Sequence, residues 1–107
     1  MKKSVRFAVA LAGFVFSVST MCLAQSSGEA IYNEKCLNCH GLTCLANSGV
    51  GNVMKVKPIT DAEVRKMTEA EMIQAARNGA GKMQPYKDSL TDSQTRAVVV
   101  YFRTFLK

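Results

Sequence analysis

The chain has 107 residues, a formal net charge of +6 at pH 7 and 48% hydrophobic residues. This length allows one small domain at most. Three of the positive charges lie together at Lys2, Lys3 and Arg6, so the rest of the chain is only mildly basic and does not favour nucleic-acid binding, for which clustered basic residues are typical.

The N-terminal segment has the three-part pattern of a secretory signal peptide: a basic start, an unbroken apolar run and a short stretch of mostly small residues. We therefore predict cleavage after Ala24, which leaves a signal peptide at 1–24 and a mature, exported domain at 25–107. The apolar run is shorter than the roughly 20 residues that a membrane-spanning helix needs, so the cleaved protein is not expected to be an integral membrane protein. A lipid anchor on Cys22 is an alternative, although bulky Met21 stands where a small residue is expected.

The first helix of the mature domain is predicted from about Ser27 into a cysteine motif that begins at Cys36. Gly28, Tyr32 and Cys36 are spaced by four residues and therefore share one helix face. Glycine inside a helix costs about 1 kcal/mol relative to alanine, so close approach of another helix is the expected reason for Gly28.

Residues 36–40 read Cys-Leu-Asn-Cys-His, which is the Cys-x-x-Cys-His pattern of c-type haem attachment. Two thiols separated by two residues can reach the two vinyl groups on one edge of a porphyrin, and the next residue then points toward the iron. The motif contains the only histidine of the chain, and a domain this small usually needs a cofactor, a metal or disulfides for stability. We therefore predict one covalent haem c, with thioether bonds to Cys36 and Cys39 and His40 as an axial iron ligand.

Other uses of these cysteines remain as alternatives. The motif together with Cys44 would provide a Cys₃His zinc site, but the adjacent side chains of Cys39 and His40 cannot easily close on one ion. A thioredoxin-like thiol pair needs a strand-helix context that the sequence does not show, and a structural disulfide is the remaining alternative. Cys44 itself is expected to be a small buried residue, with an exposed thiol that links two molecules as the alternative.

Downstream of the motif, a segment rich in Gly, Asn and Ser predicts a loop from Gly41 to Lys57. Three further helices are predicted at about Asp61–Lys66, Glu69–Arg77 and Asp92–Leu106. Capping-box patterns that mark helix starts occur at Ser26–Glu29, Thr60–Glu63, Thr68–Glu71 and Thr91–Gln94. The last helix has one apolar face, formed by Val98, Tyr101, Phe102 and Phe105.

A methionine is the predicted second axial ligand, because the chain has no second histidine. Met83 lies between two predicted helices, in a loop bounded by glycine and proline that can lay backbone across a haem face. Met54 in the long loop is the alternative ligand, whereas Met67 and Met72 fit a hydrophobic staple at the start of a helix. Ligation by histidine and methionine raises the reduction potential and leaves no open coordination site, so such a centre passes single electrons.

Residues 27–107 resemble the small monohaem class I cytochromes c of bacteria. The resemblance rests on Cys36–Gly41, on Gly79-x-Gly81-x-Met83, and on Leu90-Thr91-Asp92-x-Gln94 with Val98-x-x-Tyr101-Phe102. It implies an all-α fold of about four helices wrapped around one covalently attached haem. In that family a glycine and an aromatic residue of the first helix, here Gly28 and Tyr32, cross the last helix.

The resemblance also implies a function: a periplasmic electron carrier, not an enzyme, that shuttles electrons between a redox protein donor and an acceptor. These partners would dock at the exposed haem edge of a monomer, and lysines there would steer an acidic partner, unless they are ordinary solvated residues. The lysines in question are Lys55, Lys57, Lys82 and Lys87. Alternative functions are a haem protein with an open or labile sixth site for small ligands or peroxidase-like chemistry, and a fixed electron-transfer subunit of a larger oxidoreductase.

The sequence departs from the family at two places. Gln84 follows Met83 directly, where family members usually have proline. Residues 42–45 replace a turn rich in Asp and Gly, and the nearest proline is Pro58, far from the position at which a proline carbonyl orients the histidine ring in the family. The sequence therefore does not identify the hydrogen-bond acceptor of His40 Nδ1, a contact that would tune the ligand.

Overall fold

The computed structural model describes Gly13 and residues 27–106. The predicted signal peptide at 1–24, with Cys22 and the cleavage site, lies outside the described residues except for Gly13. Residues 27–106 form α-helices and no strand, so the predicted all-α fold is confirmed. The helices are α1 (Gly28–Lys35), α2 (Leu37–His40), α3 (Gly49–Val53), α4 (Ala62–Lys66), α5 (Glu69–Asn78) and α6 (Asp92–Arg103). In this part of the chain, no helix has both the length and the apolar character needed to cross a bilayer.

The two longest helices begin with the predicted capping boxes. At α5 the Thr68 hydroxyl accepts a hydrogen bond from Glu71 N at 3.1 Å, and the Glu71 carboxylate accepts one from Thr68 N at 3.1 Å. At α6 Thr91 and Gln94 exchange the equivalent pair, at 3.1 and 2.9 Å. Each box satisfies two backbone donors that a helix start would otherwise leave unpaired.

The other two predicted caps are each displaced by one residue. Ser27, not Ser26, caps α1 by accepting a hydrogen bond from Ala30 N at 3.2 Å. Asp61, not Thr60, caps α4, because its carboxylate accepts hydrogen bonds from the amides of the first turn, the closer at 2.9 Å. An ionised carboxylate is the stronger acceptor and also interacts favourably with the positive end of the helix dipole.

The prediction of an uninterrupted loop from Gly41 to Lys57 is wrong, because the segment contains α3. The Ser48 hydroxyl caps this short helix by accepting a hydrogen bond from Gly51 N at 2.9 Å. A Cβ on Gly51 would lie 2.3 Å from Cys39 O, so α3 packs directly onto the cysteine motif where a side chain would not fit. Its glycine- and valine-rich sequence has low helix propensity, and packing therefore stabilises a helix that the sequence pattern does not indicate.

The first and last long helices cross closely, as expected from Gly28. A Cβ on Gly28 would lie 2.2 Å from Ala97 O and 2.9 Å from Tyr101 Cβ, so only glycine allows this distance between α1 and α6. Beside the crossing, the rings of Tyr32 and Tyr101 pack with their centroids 5.4 Å apart. This crossing sets the position of the cysteine motif, which follows α1 directly.

The last helix is shorter than predicted, since α6 ends at Arg103 and not at Leu106. Thr104 tightens the chain into a turn, with its amide donating to Tyr101 O at 3.0 Å and its hydroxyl to the same oxygen at 2.6 Å. Phe105 and Leu106 still pack against the buried core from this turn. The core members buried there are Ile31, Tyr32, Cys44, Ile59, Leu90 and Val98.

Candidate functional site

A cavity of about 900 Å³, here called the central cavity, lies between the cysteine motif, α5 and α6. Its wall is mainly apolar and includes Tyr32, Cys36, Cys39, His40, Met83 and Phe102. The fold thus brings all the predicted site residues to one place, although Met83 lies far from the motif in the sequence. Met54, the alternative ligand, also lines the central cavity, as do Met67 and Met72.

The residues of the central cavity fit a haem group. Its volume is within the range of roughly 300–1,000 Å³ typical of cofactor pockets. Cys36 and Cys39 are free thiols on the wall, at the spacing that haem attachment requires. His40 Nδ1 is buried and forms no hydrogen bond to any described residue, so no protein group holds the ring through this nitrogen.

Burial controls the ionisation of the motif. It lowers the pKa of His40, so the imidazole is neutral at pH 7, the form that binds iron. It raises the pKa of Cys36 to about 11, so this residue is a protonated thiol and not the reactive thiolate of a thioredoxin-like site. Among the described residues, no three His, Cys, Asp or Glu side chains are grouped to hold a metal ion, so the geometry lends no support to the zinc alternative.

Several hydrogen bonds hold the backbone at and after His40. His40 O accepts a hydrogen bond from Ala46 N at 2.8 Å, and Gly41 O accepts one from the Tyr32 hydroxyl. The Cys44 thiol donates to the same Tyr32 hydroxyl at 3.1 Å. Cys44 has no exposed surface, so the expectation of a buried residue is confirmed and its thiol is not accessible for linking two molecules.

The C-terminal end of α2 is closed by α3. The Ser48 hydroxyl donates to Asn38 O at 2.8 Å while it also caps α3, so one side chain joins the end of one helix to the start of the next. Sequence reasoning missed this contact, because the cap residue Ser48 precedes a glycine- and valine-rich run of low helix propensity. No sequence signal indicates that Cys44 and the Tyr32 hydroxyl meet.

Met83 is placed by a tight turn. Ala80 and Met83 exchange two backbone hydrogen bonds, of 3.1 and 2.9 Å, around Gly81 and Lys82. Gly81 has φ +56°, the left-handed conformation that glycine adopts at little cost. The turn presents Met83, which is half-buried, to the central cavity and against the apolar cluster of α5 and α6.

Gln84, the departure from the family pattern, is accommodated at the surface. Its side-chain amide donates to the Tyr86 hydroxyl at 3.2 Å, and that hydroxyl donates to Lys35 O at 3.1 Å. The extra residue therefore leaves Met83 on the cavity wall.

The other two methionines near the site have the packing role expected of them. Met67 and Met72 pack in one apolar cluster at the start of α5. Arg103 donates hydrogen bonds to Met67 O at 2.9 Å and to Met72 Sδ at 3.6 Å, which engages the Met72 sulfur. Four lysines are among the residues that line the central cavity, Lys35, Lys55, Lys57 and Lys82. Lys57 forms an ion pair with Glu63.

Comparisons with known proteins agree with this geometry. A family model described as cytochrome c oxidase, cbb3-type, subunit III matches residues 24–102. The solved structure of the KustC0563 c-type cytochrome is similar, with 28% sequence identity and a TM-score of 0.67 over 77% of this chain and 100% of that chain.

Two more distant structures share the fold. Cytochrome c6 from the diatom Phaeodactylum tricornutum has 22% identity and a TM-score of 0.55, over 74% of this chain and 90% of that chain. Dihydro-heme d1 dehydrogenase NirN, in complex with DHE, has 23% identity and a TM-score of 0.56, over 77% of this chain but 16% of that chain. No curated protein sequence gives a significant match.

Proposed function

This chain belongs to the family described as cytochrome c oxidase, cbb3-type, subunit III, and we propose on that premise that it is a single-electron carrier with one covalent haem and His/Met axial ligation. The similarity to c-type cytochromes supports electron transfer as its general role. The finer proposal depends on one observation: Cys36, Cys39, His40 and Met83 line the same apolar cavity.

Each of these residues has a distinct part in the proposal. Cys36 and Cys39 would hold the haem by adding their thiols across its two vinyl groups, and the neutral His40 imidazole would bind its iron. Met83 supplies a soft, uncharged thioether as the other, which favours Fe(II) and raises the reduction potential. The bound haem supplies an iron that cycles between Fe(III) and Fe(II) by one electron. With His40 and Met83 both bound to the iron, no site would remain for a substrate, so the proposed role is electron carrier and not enzyme.

We place this function in the periplasm, since the predicted signal peptide precedes the domain. The partners are a donor and an acceptor redox protein that meet a monomer at the mouth of the central cavity. Lys35, Lys55 and Lys82 at this mouth favour an acidic partner surface, which would make electron transfer rates fall as ionic strength rises. Rates that do not respond to salt would remove this part of the proposal.

Absorption spectroscopy tests the haem and its ligands directly. We expect the chromophore to stay with the protein after acid-acetone extraction, and the dithionite-reduced protein to show sharp α and β bands. The oxidised protein should show the weak far-red band of iron–thioether ligation. Met83→Ala should abolish this band, and Met54→Ala, a matched change on the same cavity wall, should preserve it.

Each outcome has a clear meaning. Loss of the band in Met54→Ala but not in Met83→Ala would assign the ligand to Met54. A high-spin wild-type spectrum without the band would replace the carrier with the alternative of an open site for small ligands. Absence of haem would contradict the proposal as a whole.

A second candidate function is a fixed electron-transfer subunit of a larger oxidoreductase. The family description names a subunit, and the fold of this chain matches only 16% of the NirN chain. Gel filtration of a native periplasmic extract distinguishes the two. A haem peak at the mass of the single chain supports the free carrier, whereas co-elution with a larger redox protein supports the subunit.

A further inference from the structure

We propose that the Tyr32 hydroxyl and the Cys44 thiol are positioning residues for His40, and that together they hold the peptide that carries this axial ligand. The proposal deepens the proposed function and rests on His40 being an iron ligand. It starts from the His40 ring, which has no hydrogen-bond partner at the buried Nδ1 among the described residues. The ring also packs edge-on against Phe102, with centroids 5.5 Å apart. Its orientation therefore depends on this contact and on the backbone on either side of it.

Tyr32 makes the side-chain hydrogen bond to that backbone, at a carbonyl that also accepts one from Cys44 N at 3.4 Å. The Cys44 thiol donates to the Tyr32 hydroxyl at 3.1 Å, and this hydroxyl donates to the carbonyl of Gly41, the residue after His40. A phenolic hydroxyl can accept one hydrogen bond and donate another, so both of its capacities are used here. Tyr32 and Cys44 are 1% and 0% exposed, so water does not compete for these bonds and each polarises the other.

The loop accepts unfavourable backbone conformations to make this contact. Cys44 has φ +60° and Ala46 has φ +54°, and neither residue is a glycine. The left-handed conformation is unfavourable for such residues, and it persists where the surrounding contacts determine it. Two backbone bonds hold it here: Ile59 N donates to Cys44 O and Ala46 N donates to His40 O, both at 2.8 Å. The same strained turn therefore places the Cys44 thiol within hydrogen-bond distance of the Tyr32 hydroxyl and supplies the amide that bonds His40 O.

The neighbouring Tyr101 provides a control that distinguishes the effect of the Tyr32 hydroxyl from the effect of the Tyr32 ring. Its ring packs against that of Tyr32 with a centroid distance of 5.4 Å, so both rings belong to the same core. Within residues 27–106 the Tyr101 hydroxyl makes none of the contacts that Tyr32 makes to Gly41 and Cys44. Tyr101→Phe is therefore the matched control for Tyr32→Phe, because each change removes one oxygen atom and keeps the ring.

The experiment uses the haem-containing protein and two readouts. Proton NMR of the oxidised form gives the hyperfine shifts of the haem methyl groups, which depend on the orientation of the axial histidine plane. Hydrogen exchange gives the protection of the Ala46 amide, which donates to His40 O. Tyr32→Phe should change the pattern of methyl shifts and lower the Ala46 protection about fivefold, the change that corresponds to a hydrogen bond of about 1 kcal/mol. Tyr101→Phe should leave both at the wild-type values.

A second pair of variants tests the thiol and serves if Tyr32→Phe does not fold. Cys44→Ala removes the donor to Tyr32 and should lower the Ala46 protection, whereas Cys44→Ser keeps a donor and should restore most of it. Exchange at the Val98 amide in α6 is the internal reference for a general loss of stability.

The results separate this proposal from the proposed function. Wild-type methyl shifts and Ala46 protection in Tyr32→Phe, or equal changes in Tyr32→Phe and Tyr101→Phe, would overturn the positioning role while the carrier function stands. Equal protection in Cys44→Ala and Cys44→Ser would remove the thiol from it. A wild-type protein without the iron–thioether band would count against the carrier alone, since the Ala46 protection is measured independently of that band.

Discussion

The two sides of the central cavity are built in different ways. On one side, the His40 segment (residues 41–59, which follow His40 and contain α3) is held by contacts with α1 and α2. It contributes Cys44, Ala46 and Ile59 to the core, each at most 4% exposed. On the other side, the Met83 segment (residues 79–86) is a turn closed by two backbone hydrogen bonds, and most of its residues are exposed.

This difference predicts how substitutions near each of the two proposed ligands would change the free energy of unfolding. The position of His40 depends on tertiary packing, so changes to it spread through the fold. The position of Met83 depends on a local turn, and such elements open at a lower free energy than the global unfolding of a domain. Substitutions in the two segments should therefore differ in their effect on unfolding.

The largest effect is expected at Gly51. In Gly51→Ala the new Cβ would lie 2.3 Å from Cys39 O and 2.8 Å from Ala46 O, so α3 has to move away from the motif. Because both contacts are to backbone, we expect the free energy of unfolding to fall by about 3 kcal/mol, measured by chemical denaturation of the haem protein.

Gly49→Ala is the control for Gly51→Ala in the same short helix. Nothing lies within 4 Å of a Cβ at Gly49, so this change should alter the free energy of unfolding by less than about 1 kcal/mol. Equal effects of the two substitutions would show that α3 does not depend on close packing against the motif.

Alkaline pH should weaken the His40 segment through Tyr32. Burial raises the pKa of Tyr32 above its ordinary value of 10.0, so above pH 10 the unfolded chain loses this proton before the folded protein does. The contribution of Tyr32 to stability is then full below pH 10 and falls as pH rises, with a slope of up to about 1.4 kcal/mol per pH unit. Tyr32→Phe should flatten this profile, and a profile that is unchanged in the variant would contradict the prediction.

The capping boxes at Thr68 and Thr91 were predictable because their bonds join residues three apart. The crossing at Gly28 was predictable because a glycine within a helix signals close approach. The link between Cys44 and Tyr32 was not, since it requires two left-handed residues in a loop whose path depends on the rest of the fold. The four predicted site residues lie together on the cavity wall, but their roles remain predictions.

A smaller effect is expected at Gly81 in the Met83 segment. Its φ is +56° but nothing lies within 4 Å of an added Cβ, so Gly81→Ala introduces backbone strain without a clash. We expect a loss of about 1 kcal/mol in the free energy of unfolding, together with a weaker far-red band. A loss as large as that of Gly51→Ala would mean that the two segments are equally integrated into the fold.

The smallest effect is expected from the ion pair that spans the base of the Met83 segment. Arg77 at the end of α5 lies 2.7 Å from the carboxylate of Asp92 at the start of α6, and the Asp92 side chain is 81% exposed. Exposed pairs contribute little, so Asp92→Asn should lower the free energy of unfolding by about 0.5 kcal/mol, and less in high salt. A larger loss of free energy in Asp92→Asn would show that the position of the Met83 segment depends on the ion pair at its ends and not on its turn.

The turn at Ala80–Met83, which is closed by its own backbone hydrogen bonds, also affects which sequence changes the protein can accept during evolution. The additional residue is absorbed at the surface, where its side chain hydrogen-bonds the Tyr86 hydroxyl and Met83 keeps its place on the wall. We therefore expect changes in this turn to disturb the cysteine motif less than changes in the His40 segment do. Selection can therefore adjust the surroundings of one axial ligand, and with them the reduction potential, without rebuilding the scaffold that holds the other.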